Sequence, residues 1–379
     1  MKKNIVIYGI RGGVEEEKFL FKNIDIKNRI EYCIGLMPEC EFHQIPVYSF
    51  DNAPEIEKYI VLVIGNWEEY VNQKQILRER GLQEFVDYIW AELFRKKVVC
   101  INANCHGTAL IQYLNLSKKF CDKFAIYPTP NIHLNVQKAI DIDLLKNCDV
   151  YIHQDIQKNN KISYELSDEY CQNYLKVDCI NITIPNLVGF GKWLYPNLGE
   201  IIMDRSNENN LIFRDSILDT AYKKVKDNYL NSYLDYFENF AYQDRFLEEL
   251  YDEVMQKLKT REEKWDVKVS DFIESNFRKI PMFVDAGHPS RYLMIEVGRQ
   301  VLKILEAEND VDISTYKSFL GMPAPVSKSI RDYWKIRYEQ EMEPRKSFLY
   351  DKSYLYNEKI YIKEYVMEYI WWVYGTYLM

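Results

Sequence analysis

Lys97-Val98-Val99-Cys100-Ile101-Asn102-Ala103-Asn104-Cys105-His106-Gly107-Thr108-Ala109-Leu110 is the stretch on which the reading of this chain turns. A short β-branched apolar run stops at a turn of small and polar residues. An apolar helical pattern (Leu110, Tyr113, Leu114) follows at once, so the expected order is strand, tight turn, helix. Cys105 then falls at the mouth of a helix, where unpaired amides and the positive end of the helix favour a thiolate and can hold an oxyanion. The competing reading makes Cys105 a small buried apolar residue, the common fate of an unpaired cysteine.

Three more strands are expected downstream. Phe124-Ala125-Ile126-Tyr127-Pro128 is the first and Cys148-Asp149-Val150-Tyr151-Ile152-His153-Gln154-Asp155 the second. After a helix opened by Ser167 as N-cap, Cys179-Ile180-Asn181-Ile182-Thr183-Ile184-Pro185-Asn186 is the third. Strands of this set end in the polar clusters Asn104-Cys105-His106, His153-Gln154-Asp155 and Pro185-Asn186. In an open parallel sheet the carboxyl ends of the strands form the ligand crevice, which makes these clusters a candidate site.

Upstream, residues 1–96 are expected to form a domain of their own. Asn4-Ile5-Val6-Ile7-Tyr8-Gly9, Ile30-Glu31-Tyr32-Cys33-Ile34 and the fully apolar Tyr59-Ile60-Val61-Leu62-Val63-Ile64-Gly65-Asn66 are strands, and Glu69 to Arg80 is helical. This alternation predicts a layered α/β structure. The stretch resembles the small Rossmann-like domain attached to many bacterial sugar-modifying and glycan-assembly proteins. Its turn, Gly9-Ile10-Arg11-Gly12-Gly13-Val14-Glu15-Glu16, has the wrong glycine spacing for a dinucleotide and crowds acids where a pyrophosphate would sit. No carboxylate for a ribose follows the second strand. The expectation is a domain that does not bind dinucleotides and serves as scaffold or pairing surface, with Arg11, Gly12 and Gly13 as a weaker candidate phosphate hold.

Residues 198–280 lack strand periodicity and read as a helical insertion that covers the sheet or forms a lid. Arg245 to Lys259 is its clearest helix, with Thr260-Arg261-Glu262-Glu263 opening another. Pro281-Met282-Phe283-Val284-Asp285-Ala286-Gly287-His288-Pro289-Ser290 then precedes an amphipathic helix, with Pro289 in its first turn and His288 on an exposed loop. The Asp285-x-x-His288 spacing lets a carboxylate fix the tautomer of an imidazole, as acid–base catalysis requires. Residues 311–379 form a helical, aromatic-rich extension after a Gly321-Met322-Pro323-Ala324-Pro325 turn. It is expected to pack on the body or on a neighbouring subunit of a homo-oligomer.

Composition sets outer bounds. A chain of 379 residues with net charge −8 and no Lys/Arg block argues against nucleic-acid binding, which needs a concentrated basic face. No apolar run reaches the length of a membrane span, and the N-terminus reads as a strand rather than an export signal. Eight scattered cysteines, without a Cys-x-x-Cys pair, fit reduced thiols in a cytoplasmic protein. Cys100, Cys105 and His106 lack the second ligand pair of a zinc site, so no metal is expected.

Asn104-Cys105-His106-Gly107, Asp149-Val150-Tyr151-Ile152-His153-Gln154, Ile184-Pro185-Asn186, Trp193-Leu194-Tyr195-Pro196 and His288-Pro289-Ser290 occur in that order. Residues 97–310 thereby resemble the WcbI-type polysaccharide biosynthesis domain. In that family a Gly-Asn-Cys-Gln turn follows the first strand, and an Asp-Val-x-x-x-Gln strand, an Ile-Pro-Asn strand, a Tyr-Pro and a late His-Pro come after it. Ala103 and His106 depart from the turn. The layout also resembles the SGNH-type esterases and O-acetyltransferases, which implies a flavodoxin-like three-layer fold for this second domain. The resemblance implies binding of coenzyme A and transfer of an acetyl group from acetyl-CoA to a sugar hydroxyl in capsule or surface-polysaccharide assembly. In that scheme His288, oriented by Asp285, deprotonates Cys105 or the hydroxyl. The Cys105 amide with Gln154 or Asn186 holds the oxyanion, and Asn104, His106 and Gly107 line the site. His106 is the rival base; His288 is preferred because its loop brings its own carboxylate. An esterase with the same triad and a non-catalytic assembly scaffold are the alternatives.

Overall fold

The structure, a computed structural model, describes residues 4–10, 29–35, 41–129, 139–156, 163–203, 211–308, 311–316, 324–338 and 358–379. The turn carrying Arg11, Gly12 and Gly13, and residues 321–323 of the expected late turn, lie outside them. The architecture is α/β, as expected.

Strands β1 (Ile5–Ile10), β2 (Ile30–Gly35), β3 (Glu41–Phe42), β4 (Ile45–Tyr48), β5 (Ile60–Val63) and β6 (Tyr88–Trp90) form one sheet in the order β3-β4-β2-β1-β5-β6. All neighbours pair in parallel except β3 with β4. β1 is central and consists almost wholly of buried Ile, Val and Tyr, the near-continuous apolar composition of a strand covered on both faces. Helix α1 (Trp67–Glu79) follows β5 and starts at a capping box in which Asn66 and Glu69 each accept the other's backbone N–H, both at 3.0 Å. β3, β4 and β6 were not read from the sequence, because runs of two to four residues are too short to show alternation.

A second sheet has the order β10-β9-β7-β8, built from β7 (Lys97–Asn102), β8 (Phe124–Tyr127), β9 (Val150–Gln154) and β10 (Ile180–Ile184); β7 and β8 are parallel. Its helices are α2 (Cys105–Leu114), α3 (Lys118–Lys123), α4 (Ile142–Asn147) and α5 (Asp168–Gln172), with Ser167 capping α5 as expected.

Several expectations for the later chain need correction. The 198–280 block is not wholly helical: β11 (Leu198–Met203) and β12 (Leu211–Asp215) pair antiparallel, five- and six-residue strands that vanish into the average of a helix-rich block. α6 (Ser216–Lys224) and α7 (Leu230–Glu238) follow. Thr260 does not open a helix, since α8 (Phe246–Glu262) runs through it. Glu262 is buried and turns its carboxylate to the Val269 and Ser270 amides, where α9 (Ser270–Asn276) begins. α10 (Arg291–Ile304) is capped by Ser290, which accepts from Leu293, so Pro289 stands one residue before the cap rather than in the first turn. α11 (Lys328–Trp334) and α12 (Glu358–Tyr374) close the order. No helix among the described residues is long and apolar enough to cross a membrane.

The chain divides into two compact units. Unit 1 holds residues 1–102, 119–152 and 156–181; unit 2 holds 103–118, 153–155 and 182–379. Within unit 1 one apolar core joins Val6, Val61, Tyr70 and Tyr88 to Val98, Leu144, Tyr151 and Cys171. Within unit 2, α2 packs on α10 so closely that a Cβ on Gly298 would stand 2.1 Å from the Tyr113 ring. Also in unit 2, α12 packs Val366, Tyr369 and Ile370 onto Ile217, Leu218 and Phe237.

Candidate functional site

Asn104 ends the turn after β7 and caps α2, its Oδ1 accepting the His106 N–H at 2.8 Å. That acceptor role fixes the carboxamide, because a backbone amide can only donate. Its Nδ2 therefore points to Asn186 Oδ1 at 3.3 Å. Asn186 is fixed in the same way, its Oδ1 also taking the Val188 N–H at 3.3 Å. The Asn104 N–H donates to Gln154 Oε1 at 3.0 Å, so Gln154 Nε2 faces the Pro185 carbonyl at 3.1 Å and His106 Nδ1 at 3.2 Å. His106 Nδ1 is thereby an acceptor, and the ring carries its hydrogen on Nε2. The carboxyl-end clusters expected from the sequence do converge: Asn104, His106, Gln154 and Asn186 form one hydrogen-bonded set within unit 2, and the first three are buried. His153 is buried beside them, with Nε2 3.3 Å from Thr183 Oγ1.

The second half of the site comes from the loop before α10. Asp285 is completely buried. Its Oδ1 accepts the N–H groups of Gly287 (2.7 Å) and His288 (2.8 Å) and lies 3.0 Å from His288 Nδ1; Oδ2 lies 2.8 Å from the same nitrogen. Four backbone bonds among the described residues hold the loop, Val284 N to His288 O, Ser290 N to Met282 O, Gly191 N to Ala286 O and Ala324 N to Val284 O, and the buried Tyr195 hydroxyl donates to Phe283 O at 3.0 Å. Gly191 must lack a side chain, since a Cβ there would stand 2.4 Å from the Asp285 carbonyl.

With Nδ1 turned to Asp285, the other ring nitrogen of His288 is left for the Cys105 sulfur, which lies near enough to help raise the pKa of the imidazole. Burial works against charge on His288. The hydrogen bonds to Asp285 and Cys105, and the negative charge of both partners, outweigh it and raise its pKa from 6.5 to about 10. The side chain is 23% exposed, so the loop shelters this imidazole more than the expected exposed position would. The His106 ring stands 6.5 Å from His288, nearly perpendicular.

Each residue picked from the sequence thus has a definite place. Cys105, His288 and Asp285 form a continuous chain. Gly107 gives its N–H to the Asn104 carbonyl at 2.9 Å and Gln154 has both ends of its carboxamide engaged, so neither offers a donor to a ligand. The Cys105 N–H and Asn186 Nδ2 have no protein partner among the described residues. Missed in the sequence were Gly191 and Tyr195 as loop supports, and Phe213 of β12, whose ring lies 6.5 Å from that of His288; Tyr195 was noted as a motif member, while Phe213 sat in an unread strand. Among the described residues no group of three or more His, Cys, Asp or Glu side chains could hold a metal ion.

The family model for the polysaccharide biosynthesis enzyme WcbI matches residues 98–310, which include every one of these side chains. The chain belongs to the WcbI family. A solved structure of WcbI, described as a novel polysaccharide biosynthesis enzyme in a native form without a disulfide bond between coenzyme A and one of its cysteines, shares the fold. It is 16% identical, with a TM-score of 0.50, and the match covers 71% of this chain and 89% of that one. No curated protein matches the sequence.

Proposed function

We propose that this WcbI-family protein is a cytoplasmic acyltransferase that moves an acetyl group from a coenzyme A thioester to a sugar hydroxyl in surface-polysaccharide or capsule assembly, with Cys105 as the nucleophile. The observation that carries the reading is the unbroken Asp285–His288–Cys105 chain in unit 2. A partly exposed sulfur with an imidazole beside it suits attack on a thioester carbonyl, a thiol-for-thiol exchange. The coenzyme A and cysteine named for the WcbI neighbour support the same pairing.

With its pKa raised to about 10, His288 is protonated at neutral pH and has a proton to give to the departing sulfur. The Cys105 sulfur attacks the thioester carbonyl carbon, the C–S bond to coenzyme A breaks, and the departing sulfur takes the proton from His288. Acylated Cys105 no longer presents negative charge, so two of the influences that raised the His288 pKa disappear and the ring becomes a base. It then removes the proton of the sugar hydroxyl as that oxygen attacks the acyl-cysteine, and Cys105 leaves. The Cys105 N–H and Asn186 Nδ2 are the donors for the oxyanion in both halves. Asp285 holds the ring in register throughout, while His106, with its hydrogen on Nε2 and its Nδ1 engaged by Gln154, is unsuited to the base role.

Incubation with acetyl-CoA is expected to add one acetyl group to the intact protein by mass spectrometry and to none in Cys105→Ala. His288→Ala should acylate roughly 10²–10⁴-fold more slowly. Acetyl transfer by Cys105→Ala at the parental rate overturns covalent catalysis by this residue.

A further inference from the structure

We infer that unit 1 carries a binding site of its own, a cleft for an uncharged, hydroxyl-bearing sugar ring at the carboxyl edge of the six-stranded sheet. The inference does not rest on the acyl-transfer reading.

The cleft encloses about 470 Å³, within the range of small-ligand sites, roughly 300–1,000 Å³. Its floor is the end of β1 and β2, at Tyr8, Gly9, Ile34 and Gly35. β1 has β2 on one side and β5 on the other, and the crevice of an open α/β sheet opens where the strand order reverses in this way. The backbone at Gly9 has φ +105°, and a Cβ there would stand 2.4 Å from the Ile64 carbonyl and 3.0 Å from Gln73 Nε2. This position therefore admits no side chain and leaves Gln73 at the cleft.

The wall opposite is one stripe of α1: Glu69, Asn72, Gln73 and Ile76 line the cleft at the i, i+3, i+4, i+7 positions of a single helix face. The inward stripe of α1 is Tyr70 and Leu77, both buried; the cleft-lining face lies beside it, and three of its four side chains are polar. Gln73 Oε1 is buried with no hydrogen-bond partner among the described residues, an acceptor whose lost hydration none of them repays. A ligand hydroxyl donating to it would do so. Tyr8 and Phe50, stacked with centroids 5.2 Å apart, add the apolar surface on which a ring's C–H groups can rest.

Charge narrows the ligand. The Glu69 carboxylate on the wall disfavours phosphate. The Arg80 guanidinium lies 4.1 Å above the Phe50 ring and 3.5 Å from Asp51, so it is already occupied. The shared chemistry is a polyhydroxylated ring without phosphate, available as a monosaccharide or as the ribose of a nucleoside.

Saturation-transfer NMR on the full chain tests this, with glucose, galactose and N-acetylglucosamine in one arm, uridine in a second and UDP in a third. The expected result is transfer to ring protons in the first or second arm, weaker transfer to UDP, and binding roughly tenfold weaker in Gln73→Leu. Asn72→Ala, on an exposed position, gives the same direction should Gln73→Leu fail to fold, and Cys105→Ala should keep the parental signal. Transfer to UDP alone, no transfer in any arm, or a signal that both α1 variants leave unchanged overturns the proposal.

Discussion

Asn104, Gln154 and Asn186 are three carboxamides of similar chemistry, and the backbone group that each accepts from or gives to decides what the others present. The consequence falls on His106, whose neutral ring must hold its hydrogen on Nε2. Nitrogen NMR of ring-labelled protein is expected to show that tautomer at neutral pH, and a hydrogen on Nδ1 would contradict the whole chain of orientations. Gln154→Leu strands the buried Asn104 N–H and the Pro185 carbonyl together. Each such group costs about 1–3 kcal/mol, so urea unfolding should register a loss of that order or more. His288 adds a pH dependence. Its folded-state pKa, about 10, lies above the ordinary 6.5, so its contribution to stability is complete below about pH 6.5 and fades as pH rises through 10. The stability difference between the parent and His288→Asn should therefore shrink over that interval, and a difference that grows would reverse the assignment. Cys105 and the Asp285-x-x-His288 spacing were readable because short-range chemistry leaves a short-range signature. The Gln154–His106 contact was not, since it spans 48 positions and depends on which way an amide is turned.

Elements set how far apart these side chains stand. α2 begins at Cys105 and α10 begins three residues after His288, so the α2–α10 contact governs the distance between thiol and imidazole. Gly298→Ala tests that contact. At an unhindered helical position the exchange would stabilise by about 1 kcal/mol. Here the new methyl meets the Tyr113 ring at 2.1 Å, and overpacking of this kind costs about 1–3 kcal/mol. Net destabilisation is expected, and it should vanish in a Tyr113→Ala background; a stabilised single variant would show that the helices part freely. Gly191→Ala pushes instead on the Asp285 carbonyl and should lower acyl transfer more than it lowers the melting temperature. Elements of ten or more residues were legible from their periodicity, as α1 and α10 illustrate. The β11–β12 pair was hidden because its strands earn their place by pairing with each other, a relation that a window along the chain does not sample. Phe213 reached the surroundings of His288 by that same concealed route.

For the whole molecule, the α/β class followed from alternating apolar strands and helices, and the family followed from five short motifs in order. The arrangement of cores did not, because it depends on contacts between segments far apart in sequence. Tyr70 and Tyr88 share the unit 1 core with Val98, Leu144, Tyr151 and Cys171. A fragment ending at residue 96 should consequently bind an apolar dye and exchange its amides rapidly, whereas a fragment with protected amides in β1 and β5 would show that the early sheet needs no later partner. The chain passes between its two units after residues 102, 118, 152, 155 and 181. During synthesis, then, β1 leaves the ribosome about 170 residues before the last piece of its unit arrives. Over that interval β1 and β5 stand as nascent apolar surface, which makes the early chain a natural client for a chaperone that grips extended hydrophobic segments.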